Sequence, residues 1–287
     1  MTVDGRAKRR RRQSYAANAA AAALLLFATL FAIVPILWAV LTSLKSPREV
    51  ALYPPTFFPH DLTFENYFGA VFNNGTYLHY LLNTAIIVLV ATCLCLLCAS
   101  HAAHAVARYR FWGSNVLMFA MFSTIMIPGV AVVIPLYMLS VEAGIYDTVL
   151  VLILVYGAWL TPTLVWLLRG FVIVIPNELE EAGRIDGYSR LGVFYRITLP
   201  LMKPGLVAGA VLIFANIWNE FLLGYSLVQS ETARVVQVGI YANLTEVGVQ
   251  WGRLTAAAVT AMVPVLVVYA FLQKAFVQGL SAGAVKG

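Results

Sequence analysis

The chain has 287 residues, of which 61% are hydrophobic and only 11% are charged, and its formal net charge is +6. Soluble domains carry about 25% charged residues, so this composition excludes an ordinary soluble protein. The mean hydropathy of +0.82 indicates a protein embedded in lipid.

Six apolar windows reach the roughly 20 residues that a helix needs to cross the hydrocarbon layer. In chain order they are Ala19–Leu41, Leu81–Ala99, Val116–Leu139, Thr148–Leu168, Leu206–Leu227 and Leu254–Leu272. None alternates as a membrane β-barrel strand does, and in lipid each segment must satisfy its own backbone hydrogen bonds. We therefore predict an all-α membrane protein with six transmembrane helices. Its transmembrane domain (19–279) follows a basic N-terminus (1–18) and precedes a short tail (280–287).

The basic residues are distributed unevenly between the two sides of the predicted membrane domain. If the N-terminus is cytoplasmic, 15 of the 19 Lys and Arg residues lie on that side. This bias predicts that both termini are cytoplasmic, and it places the polar segment Asn177–Pro200 there as well. The arginine run near the N-terminus is then a topology signal rather than a nucleic-acid site. Because the first apolar window is too long for a cleaved signal peptide, we expect an uncleaved first helix in a multi-pass membrane protein that is in contact with lipid.

The segment Asn177–Pro200 is unusual because it is polar, charged and rich in helix-capping residues. Asn177 followed by Glu180 has the spacing of a capping box, and Gly187 suits a left-handed C-terminal cap. These signals predict a short helix over Glu178–Asp186, and Ser189 predicts the start of a second one. From these residues alone, a solvated helix at the membrane surface remains as acceptable as a docking helix.

Four polar or aromatic residues lie in the fifth predicted span: Asn216, Trp218, Asn219 and Glu220. A carboxylate at this depth is costly unless it is paired or hydrated. Such residues can line a translocation path, with amide and carboxylate groups for solute hydroxyls and an indole for the face of a sugar ring. Hydrogen bonding between helices, worth about 0.6–2 kcal/mol per contact, is the structural alternative.

Two kinds of chemistry are not expected from this chain itself. It lacks the Gly-x-x-x-x-Gly-Lys-Ser/Thr loop that holds nucleotide phosphates, so we do not expect it to hydrolyse ATP. Cys93, Cys95 and Cys98 do not converge on one face of the second span, so no metal site is predicted. We expect a non-enzymatic chain that binds no cofactor.

A two-part motif connects the polar segment to a known family. Glu181-Ala182-Gly183-x-x-x-Gly187, nine further residues and Ile197-x-Leu199-Pro200 resemble the EAA loop of the permeases of binding-protein-dependent ABC importers. Gly183 departs from the family pattern, which usually has a second alanine. Further matches to the carbohydrate type are Leu62–Tyr67, Ile127-Pro128 with Ile134–Tyr137, and Trp218–Phe221. The C-terminal nine residues resemble those of the maltose-permease G type.

The resemblance implies a type I importer permease of the bacterial plasma (inner) membrane and a set of partners. These are a second permease subunit that forms a heterodimer with this chain, two ATPase subunits that bind ATP and Mg, and an extracytoplasmic solute-binding protein. The helix in segment 177–200 would be the coupling helix, with Glu181 facing an ATPase arginine and Gly187 forming the turn. The residues implied in ATPase coupling are Glu181, Ala182, Gly183, Asp186, Gly187, Ile197, Leu199 and Pro200. The tail residues Gly283, Lys286 and Gly287 would reach toward the ATPase.

We therefore interpret the chain as the pore-forming subunit of an ATP-driven importer for a carbohydrate or related polar solute. The alternative is an ion-coupled secondary transporter that uses Glu220 as its ion or proton site. The two differ in their energy source, because the first requires ATP and a partner ATPase whereas the second requires an ion gradient.

Overall fold

The computed structural model describes the backbone of residues 3–72, 75–109, 111–245 and 248–284, and the side chains of residues 18–244, 248–271 and 273 within those ranges. It is mostly helical. The helices in chain order are α1 (Val3–Ser43), α2 (Pro47–Val50), α3 (Glu65–Tyr67), α4 (Thr76–Arg108), α5 (Ser114–Ile125), α6 (Gly129–Glu142), α7 (Val149–Val174), α8 (Asn177–Ile185), α9 (Arg190–Val193), α10 (Leu199–Leu201), α11 (Lys203–Trp218), α12 (Leu222–Leu227), α13 (Val236–Tyr241) and α14 (Trp251–Ala284). Two π-helical turns occupy Phe68–Phe72 and Phe194–Thr198.

The chain divides into two compact units, one within residues 1–71 and 243–259 and the other within residues 72–242 and 260–287. In the first unit, the strands β1 (Leu244–Thr245) and β2 (Gly248–Val249) pair antiparallel. Asn66 is buried there and donates from Nδ2 to the carbonyl oxygens of Ser43 (3.0 Å) and Lys45 (2.7 Å). The first bond satisfies one of the orphan carbonyl groups where α1 ends, and the second holds the chain just beyond that end.

The second unit has its core where α4, α7 and α11 pack together. Ile87, Leu152, Leu164, Leu168 and Ile213 are fully buried in that core. A Cβ atom at Gly209 would lie only 2.4 Å from Leu164 Cδ1, so the glycine lets α11 approach α7 closely. Small residues commonly allow such close packing between membrane helices, because the hydrophobic effect does not drive helix association within lipid.

Within the described residues, four single helices are long and apolar enough to cross a membrane: Asn18–Ser43, Thr76–Arg108, Val149–Val174 and Trp251–Phe271. They cover the first, second, fourth and sixth predicted windows to within one residue. The number rises to six if two bent helix pairs each count as one span. The all-helical membrane fold predicted from the sequence is therefore confirmed, although two of its spans are not continuous helices.

The third predicted span, Val116–Leu139, is wrong as a single helix. It is divided into α5 and α6, which are bent by 101° at a short break. Pro128 lies at that break and explains it. Proline lacks a backbone N–H group and disfavours helical geometry at the residue before it, so a helix is interrupted there. Pro135 lies inside α6, where the helix continues.

The fifth predicted span, Leu206–Leu227, also differs from the structure. The helix α11 ends at Trp218 and a separate short helix, α12, begins at Leu222. Glu220 stabilises the new beginning, because its carboxylate accepts hydrogen bonds from the amides of Leu223 (2.9 Å) and Gly224 (3.3 Å). At its other end α11 forms a 73° bend with Arg190–Leu201. Hydropathy does not record such changes of direction, because it measures composition and not the path of the chain.

Candidate coupling site

The helix α8 forms the centre of the polar segment, and its limits agree with the prediction to within one residue. Pro176 takes the N-cap position with extended backbone (φ −58°, ψ 135°), and no side chain caps the helix there. The capping box predicted for Asn177 and Glu180 is therefore wrong. Glu180 turns inward and binds other parts of the fold.

The C-terminal end of α8 has the geometry expected from its glycine. Gly187 has a φ of +87°, its amide donates to Arg184 O (3.1 Å), and the Tyr188 amide donates to Gly183 O (3.0 Å). These two bonds form a Schellman cap, which confirms the left-handed turn at Gly187. Ser189 begins α9 as predicted, since its Oγ accepts from the Gly192 amide (3.1 Å).

The inward face of α8 carries Glu180, whose carboxylate is held by three side chains. Arg108 donates from Nε to Oε1 (2.8 Å), Thr198 donates from Oγ1 to the same oxygen (2.9 Å), and His104 Nε2 lies 3.4 Å from Oε2. Arg108 also donates from Nη2 to the carbonyl oxygen of Ile175 (2.6 Å). The side chains of Glu180 and Arg108 are each only 10% exposed. We call Glu180, Arg108, His104 and Thr198 the anchor cluster.

The charge on Glu180 depends on two opposing effects. Burial acts to raise the pKa of this carboxyl group, but the hydrogen bonds from Arg108 and Thr198 outweigh it and hold the pKa below its usual value. An opposite charge and hydrogen bonds to the ionised form both favour the carboxylate. Glu180 therefore remains ionised at neutral pH, paired with Arg108.

The two halves of the sequence motif meet on the same inward face. Gly183 is buried, and a Cβ atom there would lie 2.4 Å from Ile197 Cδ1 and 3.3 Å from Val193 Cγ2. The glycine therefore makes room for the π-helical turn that carries Ile197 and the buried Thr198. Leu199 and Pro200 follow in α10.

The outward face of α8 presents the remaining motif residues to the surroundings. Glu181, Ala182, Ile185 and Asp186 are all exposed, and the side chain of Ile185 is exposed to 86%. Since positions three or four apart share a helix face, these residues form one surface opposite Glu180 and Gly183. We call it the docking face.

A surface cavity of about 280 Å³ lies beside the docking face, between α8 and the end of α4. Its lining includes Arg108, Glu180, Glu181, Arg184 and Arg190. The guanidinium of Arg190 stacks over the ring of Tyr109, which also lines the cavity, at 5.4 Å. Charges of both signs are therefore available at the edge of α8.

The residues predicted to line a translocation path differ in exposure, and their assignment stays a prediction. Asn216 and Asn219 are exposed and donate to carbonyl groups of their own helix, Leu212 O and Ala215 O. Trp218 is buried, and its Nε1 donates to Ala261 O (3.2 Å). Glu220 accepts a 2.6 Å hydrogen bond from the hydroxyl of Tyr156.

Most of the tail that was predicted to face the ATPase lies outside the described residues. Gly283 belongs to the C-terminal part of α14, whereas Lys286 and Gly287 lie outside the described residues. Their assignment stays a prediction.

Sequence reasoning missed the anchor cluster. A signal was present, because His104 and Arg108 are four residues apart at the end of an apolar run and so share one helix face. Two basic side chains at the end of an apolar helix need a carboxylate as a hydrogen-bonding and ionic partner. The sequence does not say which carboxylate, since Arg108 and Glu180 are 72 residues apart.

Comparison with known proteins identifies relatives over most of the chain. Residues 96–282 match the family described as the inner membrane component of binding-protein-dependent transport systems. The sulfoquinovosyl glycerol transport system permease protein SmoH of Agrobacterium fabrum is 33% identical and covers 88% of each chain. The trehalose transport system permease protein SugB of Mycobacterium tuberculosis is 34% identical, covering 90% of this chain and 93% of its own.

Among solved structures, a chain of a bacterial ABC transporter that imports the acidic polysaccharide alginate has the same fold. The TM-score is 0.79 at 23% identity, over 92% of this chain and 97% of the other.

Proposed function

The chain belongs to the family of inner membrane components of binding-protein-dependent transport systems, and we propose that it is a permease subunit through which an ATPase drives the import of a carbohydrate or related polar solute. Its place is in the membrane, as the several apolar helices of the structure require. The finer parts of this proposal are the coupling site, the partner subunits and the solute.

The observation that carries the proposal is the division of α8 into two faces. One face is buried on the chain's own helices through Glu180 and Gly183, while the opposite face exposes Glu181, Ala182 and Ile185. On this face Ile185, which is 86% exposed, lies beside the carboxylate of Glu181, so the face offers a partner both an apolar and a charged contact. We assign that partner to the ATPase, with Glu181 meeting a basic residue in its groove.

The remaining partners follow from the same family. Its description names a binding protein, which would deliver the solute from outside. A second six-span permease would complete the pore, and two ATPase subunits would bind ATP and Mg.

The solute class rests on the relatives. SmoH is named for the transport of sulfoquinovosyl glycerol and SugB for trehalose, and both are glycosides. A hydroxyl-rich glycoside is therefore the solute we propose for this chain.

The ion-coupled alternative has less support. Glu220, its proposed ion site, has a structural role in this chain. Its carboxylate accepts hydrogen bonds from the first amides of α12 and from the hydroxyl of Tyr156. Family membership favours a transporter driven by an ATPase partner.

The test is uptake by proteoliposomes that contain this chain, the second permease, the ATPase pair and the binding protein. Radiolabelled trehalose and sulfoquinovosyl glycerol serve as probes, with glutamine as a control solute. We expect uptake of a glycoside only with internal ATP and the binding protein, and no effect of a proton ionophore. Uptake that continues without ATP but stops with the ionophore would contradict the proposal and favour the ion-coupled alternative.

A further inference from the structure

The anchor cluster joins four separate parts of the second unit at one carboxylate. Glu180 belongs to α8, His104 and Arg108 to the end of α4, and Thr198 to the π-helical turn before α10. Arg108 adds the end of α7, through its bond to Ile175 O. The coupling helix is thus connected to two membrane helices by side chains as well as by the chain itself.

The cluster is also largely buried. Thr198 is fully buried, and His104 and Glu180 are 6% and 8% exposed. If α8 moved away from α4 and the π-helical turn, the bonds from Arg108 and Thr198 to the Glu180 carboxylate would be broken together. Hydrogen bonds to charged groups are worth about 1.5–3 kcal/mol each, so this separation is costly. The cluster therefore favours movement of α8 and the end of α4 as one body.

Gly183 strengthens this connection from the neighbouring turn. Its missing side chain lets Ile197 lie against the backbone of α8. Packed interiors transmit displacement because they have low compressibility. A displacement of α8 would reach the π-helical turn by this contact and by the hydrogen bond between Thr198 and Glu180.

We propose that Glu180 is a positioning residue for energy coupling: through Arg108 and Thr198 it locks α8 to the membrane helices, so that they follow the movement of the docked ATPase. The inference rests on the proposed function, since it needs an ATPase on the docking face. The two adjacent glutamates then have different roles. Glu181 faces the partner, whereas Glu180 faces the chain's own helices.

The test compares Glu180→Gln with Glu181→Gln in the complete transporter in proteoliposomes, with the glycoside that the wild-type transporter takes up, trehalose being tried first. Three quantities are measured for each variant: the ATPase retained on the purified complex, the rate of ATP hydrolysis, and the solute transported per ATP hydrolysed. Glutamine is close in shape to glutamate but carries no charge, so it weakens the anchor with little change in volume.

For Glu180→Gln we expect normal retention of the ATPase and about a tenfold loss in solute transported per ATP, within the range typical of coupling between two sites. For Glu181→Gln we expect weaker retention of the ATPase. A double variant with Arg108→Gln should lose little more coupling than Glu180→Gln alone, because both act through one contact.

A purely structural role gives a different result. If Glu180→Gln lowers the amount of complex but each remaining complex keeps the wild-type ratio of solute to ATP, the proposal is wrong. Should that variant fail to assemble, Thr198→Val provides the same measurement, since it removes one hydrogen bond and leaves the ion pair. An unchanged ratio in Thr198→Val would then overturn the proposal. Absence of ATP-driven uptake in the wild type would instead refute the proposed function.

Discussion

The contact between Gly183 and Ile197 gives a quantitative prediction about the packing of the coupling helix. Replacing a helical glycine by alanine stabilises a helix by about 0.8–1 kcal/mol. Here the new Cβ atom would lie 2.4 Å from Ile197 Cδ1, whereas carbon atoms in contact are about 3.5–4.0 Å apart. The methyl group must therefore withdraw by more than 1 Å, and such overpacking costs about 1–3 kcal/mol.

The two effects oppose each other in Gly183→Ala, and the net loss of stability is about 0–2 kcal/mol. In an Ile197→Val background the Cδ1 atom is absent, and the nearest remaining contact is Val193 Cγ2 at 3.3 Å. There the same replacement should be neutral or stabilising, by up to about 1 kcal/mol. The difference between backgrounds, about 1–3 kcal/mol, is the interaction energy of the pair.

The assay is thermal unfolding of the detergent-solubilised protein in the four variants of this cycle. A change of 1 kcal/mol moves the midpoint by about 2–4 °C for chains of this size class. Gly157→Ala in α7 is the control, because its Cβ atom would have no heavy atom within 4 Å. Its effect should not depend on residue 197. If Gly183→Ala has the same effect in both backgrounds, the close contact on which the docking of α8 depends is refuted.

Three further predictions concern other parts of the second unit. Asp147→Asn should loosen the turn at 229–230, since Asp147 Oδ1 accepts from both of its amides at 2.7 and 2.8 Å, and faster amide exchange there would show it. Tyr156→Phe should lower stability by about 0.6–2 kcal/mol in thermal unfolding, because the hydroxyl bond to Glu220 is lost. Gly187→Ala should cost about 1–2 kcal/mol in the same assay, because only glycine adopts a φ of +87° without strain.

The Asp147 prediction includes a pH dependence. Burial acts to raise the pKa of this carboxyl group, but the amides of Ser230 and Gln229 outweigh it and lower the pKa below its usual value. A carboxyl group whose pKa is lower in the folded than in the unfolded state stabilises the fold above its unfolded pKa, and that stability is lost as the pH falls through the folded pKa. Protection of the two amides should therefore persist at neutral pH and decline only below about pH 4. A decline near pH 6 would contradict the assignment.

The other two variants also have matched controls. Glu220→Gln keeps an acceptor for Tyr156 and should destabilise less than Glu220→Ala. For Gly187, the comparison is with Gly157→Ala, whose backbone is helical. Equal effects of the two glycine replacements would show that the left-handed turn is not required.

The sequence predicted those parts of the fold that depend on composition and local signals. Apolar length alone located α4 and α7, and Gly187 and Ser189 located the limits of the short helices, because caps use residues within one turn. The large bends in the third and fifth spans were not predicted, since hydropathy averaged over a window is the same for a straight and a bent helix. Pro128 indicates a kink in the third span, but not its angle.

The candidate site was predicted in part for the same reason. The spacing of Asn177 and Glu180 fits a capping box whichever way Glu180 turns. Its direction is decided by Arg108 and His104 on a distant helix, which no local pattern contains. By contrast, the exposure of Glu181, on the opposite face of α8, agrees with the role that the resemblance implied.

The central claim is that the ATPase binds to α8. Crosslinking in the assembled transporter tests this claim most directly. A photoreactive residue replaces Ile185, which is 86% exposed on the docking face, and in a second sample it replaces Tyr241, 45% exposed in α13. We predict that the first sample crosslinks to the ATPase subunit and the second does not. ATPase crosslinks from residue 241 but none from residue 185 would contradict the account.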